Sequence, residues 1–116
     1  MQIAIQTQGF PLTGALEKHV QDRLRFTFSR VADRVRRVRI TLSDINGPRG
    51  GVDKRCLIEA RLDGLPSVVI QDLQSDLYIA IDRAAGRAAR NVMRRLALKT
   101  GKRRHYHRRH AVIPAS

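Results

Sequence analysis

A chain of 116 residues has room for one domain with a modest core, and its 23 lysines and arginines against 10 acidic residues give a formal charge of +13. Self-repulsion on that scale favours a polyanionic partner; nucleic acid comes first and a membrane surface second, and the second is disfavoured because no apolar run reaches transmembrane length and no lipidation signature is present. The absence of Trp, with two Tyr and three Phe, argues against reading single strands by base stacking, while a single cysteine, Cys56, excludes an internal disulfide and agrees with a soluble protein in a reducing, cytoplasmic setting.

Met1 to Gln6 alternates, with Ile3 and Ile5 on one face, and predicts a short strand broken by Gly9, Phe10 and Pro11. Thr13 is a suitable N-cap for a helix in which Leu16, Val20, Leu24 and Phe28 recur every fourth residue. That helix should end near Arg30, with Lys18 and Arg25 on its far side. Val38, Ile40 and Leu42 then alternate with Arg37, Arg39 and Thr41, a second strand whose outward face is cationic. The run Asn46-Gly-Pro-Arg-Gly-Gly51 follows as a turn. It reads either as a long hairpin turn or as a finger presenting Arg49 to a phosphate. It is no P-loop, because no Gly-Lys-Ser/Thr follows and no helix starts there.

Cys56, Ile58, Ala60 and Leu62 alternate with Arg55, Leu57, Glu59 and Arg61 as a third strand. The Asp63-Gly64 pair signals a hairpin into a fourth strand from about Ser67 to Gln71. Ser75 can cap the last helix, which begins at Asp76 and should fade near Leu98. At about 100° per residue, Leu77, Ile81, Ala84, Ala88 and Val92 share one side, and Arg83, Arg87, Arg90 and Arg94 lie roughly 150° away. No carboxylate intervenes within that basic stripe, so it should attract phosphate; Arg95 extends the same helix end. The plainer reading is a solvated helix face.

The order β-α-β-β-β-α predicts an α+β fold, a four-stranded sheet with two helices packed on one face. If the first two strands are neighbours they run parallel, with a right-handed crossover. Residues 1–98 form the domain and residues 99–116 a basic tail, with Lys102, Arg103 and Arg104 at its start, expected to be disordered until it meets a partner.

Catalytic and metal chemistry find little support. His105, His107 and His110 have ligand-like spacing, but neighbouring arginines oppose a divalent cation, so no metal or cofactor is expected. Cys56 has Arg55 beside it, yet its alternation with Ile58 points to the core. Asp76 and Asp82 lie six apart and share no helix face; Asp76 is better explained as a favourable charge at the helix start. No nucleophile stands at a recognisable catalytic turn, so an enzyme is the least favoured class.

With the element order in hand, the chain resembles the ribosome hibernation promoting factor and ribosome-associated inhibitor family, the sigma-54 modulation or S30EA type. The resemblance rests on Asp76-Leu77-Tyr78 followed by Ala80-Ile81-Asp82, on Arg87, Arg90 and Arg94, on Met1-Gln2-Ile3, and on the helix start around Leu12, Thr13, Ala15 and Leu16. It covers roughly residues 1 to 98 and implies a short, divergent member. Such a protein would bind small-subunit rRNA near the decoding region and block messenger and transfer RNA during stationary phase or stress. It implies a monomer on the ribosome, with no small-molecule substrate and no membrane. The alternatives are a general double-stranded-RNA-binding module or RNA chaperone, and a structural subunit whose basic face only aids solubility.

Overall fold

In the computed structural model, which describes residues 1–45 and 52–111 and the side chains of 1–45 and 52–98, the hydrophobic periods become six elements. They are β1 (Gln2–Gln8), α1 (Gly14–Thr27), β2 (Val35–Asp44), β3 (Lys54–Leu62), β4 (Leu65–Gln74) and α2 (Leu77–Ala111), with a 3-10 turn at Ala32–Arg34 leading into β2. The strands form one sheet in chain order. β1 runs parallel to β2, and the other two pairings are antiparallel. This is the α+β arrangement that the element order predicts.

Register follows from burial. Ile3 and Ile5 pair with Val38 and Ile40, Ile40 with Ile58, and Ile58 with Ile70, so one apolar row crosses all four strands. A shift of one residue in any strand would turn that row to solvent. The helices cover this face: Leu16, Val20, Leu24 and Phe28 from α1 and Ile81, Ala84, Ala85, Ala88, Ala89 and Val92 from α2 are buried. The α2 contribution is largely alanine, which places little side-chain bulk between the helix axis and the sheet. Cys56 is wholly buried in this core, where burial and, second, the charge of Asp72 push its thiol up to about 12.

Several boundaries differ from expectation for local reasons. The Thr13 side chain accepts the Leu16 amide at 3.2 Å, as its sequence position suggests. α1 then stops at Thr27 with Phe28 as C-cap, short of Arg30, because burying Phe28 turns the chain. Asp76, not Ser75, caps α2: its carboxylate accepts the Tyr78 amide at 2.8 Å and the Ile79 amide at 3.5 Å. β4 exceeds its predicted span at both ends. In the hairpin before it, Gly64 takes φ +71° while no non-glycine among the described residues, Asp63 included, has positive φ; Asp63-Gly64 is therefore not a type I′ turn, which needs positive φ at both positions. α2 extends to Ala111, past the predicted fade near Leu98. Residues 46–51 and 112–116 lie outside the described residues, as do side chains from 99 onward; the predicted turn falls there, while the predicted tail of residues 99–116 overlaps α2 as far as Ala111.

Candidate nucleic-acid interface

The α2 arginines do not act as one stripe. Arg87 donates to the Gln71 carbonyl at 3.0 Å and lies 3.4 Å from the Asp72 carboxylate, while Arg83 approaches the other Asp72 oxygen at 3.7 Å. Asp72 is only 10% exposed at its side chain. A carboxylate that shielded needs cationic partners, so β4 supplies the neutralising charge that α2's own sequence lacks. Arg95 donates to the carbonyls of Pro66 at 2.7 Å and Ser67 at 3.1 Å. By the helical period it lies on about the azimuth of Leu77, Ala84 and Ala88, facing the sheet rather than away from it.

Arg87 and Arg95 therefore cover carbonyls of β4, an edge strand whose free side would otherwise invite another strand. Arg90 and Arg94 remain outward and exposed. Arg94 makes only a long 3.4 Å contact with Asn91, and Arg90 makes no ion pair among the described residues. The Arg90 guanidinium lies near Gly86, where an added methyl group would meet it at 3.4 Å.

On the sheet's open face the outward residues of β2 and β3 come together. Arg37 sits opposite Arg61, and Arg39 opposite Glu59. Three shallow depressions share Arg37: one also touches Arg61 and Ser67, one Arg39 and Glu59, and one Arg25 from α1. Arg25, Arg37, Arg39 and Arg61 make no ion pair among the described residues. The fold thus gathers three of the sequence-predicted cations, Arg25, Arg37 and Arg39, around one end of the sheet. Arg37 and Arg39 stand on the open sheet face, in the opposite layer from Arg90 and Arg94, while Arg25 meets Arg37 from the helix layer. Lys18 is exposed and tied to Asp22 at 2.7 Å, so it is already paired. Arg49 and the side chains of Lys102, Arg103 and Arg104 lie outside the described residues.

Sequence reasoning missed the tertiary roles of three residues. Arg61 was visible as an outward residue of β3, but its partner depends on the β2–β3 register, which residues 46–51 conceal. Asp72 offered a usable signal, a carboxylate in phase with the inward Val68 and Ile70. Asp82 joins the helices: His19 meets it at 2.8 Å and Arg23 at 3.0 Å, and the His19 ring stacks edge-on against Tyr78 with centroids 4.8 Å apart. These contacts make Asp82 an inter-helix tie rather than part of an acid–base pair.

The α+β fold of this chain is one found in a known family. The chain belongs to the Sigma 54 modulation protein / S30EA ribosomal protein family, whose profile matches residues 3–97. This is a family of ribosome-associated modulation factors, which are not enzymes. The fold is similar to a ribosomal subunit interface protein from Coxiella burnetii, with a TM-score of 0.71 and 18% identity over 84% of this chain and 99% of that one. It is also similar to the N-terminal domain of Thermus thermophilus Protein Y, with a TM-score of 0.67 and 28% identity over 81% and 98%. No curated protein matches the sequence. Among the described residues no helix is long and apolar enough to cross a membrane.

Proposed function

We propose that this chain is a cytoplasmic translation-silencing factor that binds small-subunit rRNA near the decoding region and sterically excludes messenger and transfer RNA. The observation that carries the reading is the presence of outward arginines that make no ion pair among the described residues, Arg25, Arg37, Arg39, Arg90 and Arg94 among them, on a chain of charge +13 that belongs to a ribosome-associated family. Arg49, Lys102, Arg103 and Arg104 add to the same field by sequence. Arg83 and Arg87 contribute charge while held to Asp72, and Lys18 and Arg95 contribute less because their partners occupy them. Stationary phase and stress are the conditions in which such a factor would act.

Exclusion of this kind needs no bond-making step. A protein that neutralises phosphates gains affinity by releasing counterions, and its volume then denies the site to other RNA. Sedimentation of cell extract through sucrose tests the reading. Co-migration with small subunits or idle monosomes is expected; spreading over bulk RNA would favour a general RNA-binding module, and neither pattern a structural subunit. The pair Arg90→Gln and Arg94→Gln should weaken small-subunit binding at least about tenfold, equivalent to about 1.4 kcal/mol. Its melting temperature should match the parent's, since Gln keeps helix propensity close to that of Arg. Unchanged binding would remove this face of α2 from the site.

A further inference from the structure

We propose that the end of the open sheet face centred on Arg37 and Arg61 is a discrete phosphate-binding site, with Ser67 at its rim and an RNA backbone as its ligand. The first argument is electrostatic. Arg37 and Arg61 are direct cross-strand neighbours, an arrangement in which like charges destabilise a sheet. Glu59, the nearby carboxylate, stands opposite Arg39 instead, and makes no ion pair among the described residues. A bound phosphate between the two guanidiniums would turn repulsion into two charge-assisted contacts.

The second argument is the backbone. At this end the ladder is irregular in both strand pairs. Val35 pairs with Leu62 and Arg37 with Arg61, leaving Arg36 as an extra residue in β2. Ala60 pairs with Val68 and Leu62 with Leu65, so Pro66 and Ser67 oppose Arg61 alone. Bulges of this two-against-one kind re-aim side chains and cluster beside functional sites. Here they bracket a depression of about 670 Å³ lined by Arg37, Arg61, Pro66 and Ser67. Arg95 grips the Pro66 and Ser67 carbonyls from α2, so the bulge is held in place before any ligand arrives. Arg36 also lines the depression but is paired with Asp63 at 3.3 Å, whereas Arg37 and Arg61 make no ion pair among the described residues.

The ligand class follows from what the face lacks. Its outward residues on β2, β3 and β4 include no aromatic side chain, so nothing there would stack a base. The site reads phosphate, and a free polyphosphate shares that chemistry. The ribosomal reading bears only on where the RNA comes from; phosphate recognition stands on the geometry.

The test measures binding of the full chain to a short A-form RNA duplex across a salt series, and to inorganic tripolyphosphate, with the double variant Arg37→Gln and Arg61→Gln. The variant should make the salt slope for the duplex shallower by about 2, roughly one per arginine. It should melt at or above the parent's temperature, because the like-charge pair is gone. Arg30→Gln with Arg34→Gln removes the same charge elsewhere and should change the slope less. A duplex slope equal to the parent's, or equal loss in the control pair, overturns the proposal. Loss of tripolyphosphate binding with duplex binding intact overturns RNA as the ligand. If the parent fails to sediment with small subunits while the double variant still weakens duplex binding more than the control, the ribosomal reading falls and this site is supported.

Discussion

Arg87 and Arg90 lie three residues apart on the same helix, yet Arg87 faces the nearly buried Asp72 and the Gln71 carbonyl while Arg90 faces solvent. Their substitutions should therefore differ in kind. Arg87→Gln removes a partner from a shielded carboxylate and should cost about 1 kcal/mol of stability, whereas Arg90→Gln should stay within about 0.5 kcal/mol; urea titration of the two variants checks both. Cys56 gives a pH-dependent outcome. Its thiol moves from an ordinary 9.0 to about 12 on folding, so the folded state keeps a proton that the unfolded chain releases. The resulting stability is complete below pH 9 and is lost as pH rises toward 12. Relative to Cys56→Ala, the parent's stability advantage should shrink as pH rises from about 9 toward about 12, and the folded thiol should resist alkylation at the lower pH. An advantage that grows with pH would contradict the burial argument.

At the scale of elements, α2 is tied to its neighbours by polar contacts at the margins of an alanine-rich face. Asp82 holds His19 and Arg23 of α1, with all three side chains partly exposed. Solvent screening limits such a tie, and Asp82→Ala should cost about 0.5–1 kcal/mol. Asp76→Ala removes the α2 N-cap and should cost about 1 kcal/mol. Thermal melts of both variants provide the check, and a neutral Asp76 variant would mean that the capping contact is not formed in solution. These capping and pairing roles explain why the acidic motif around Asp76 and Asp82 carries no chemistry: one carboxylate ends a helix and the other joins two.

For the whole molecule, the charge of +13 makes salt the decisive variable. Affinity for small subunits should fall steeply between low and moderate ionic strength, linearly on a double-logarithmic plot. A flat response would show that phosphate contacts do not drive binding. The arrangement of the cations shapes this behaviour. Arg37 and Arg39 stand on the open sheet face with Arg25 of α1 beside Arg37, and Arg90 and Arg94 stand on the outer side of α2, so charge is presented on both layers rather than along one stripe.

Periods of two and near four are local properties of the chain, and they were enough to define six elements, the α+β order and the inward residues from Leu16 to Val92. The Thr13 cap was equally local. What the sequence left undetermined concerns pairs of residues distant in the chain. The partner of Arg87 is on β4, the partner of Asp82 on α1, and the neighbour of Arg61 across the β2–β3 ladder. Whether an arginine is free to meet a phosphate depends on whether the fold brings it a carboxylate or carbonyl, and helical periodicity contains no such information. Tertiary packing alone divided the α2 cations into structural ties and outward charges, because only packing sets which acceptors come within reach.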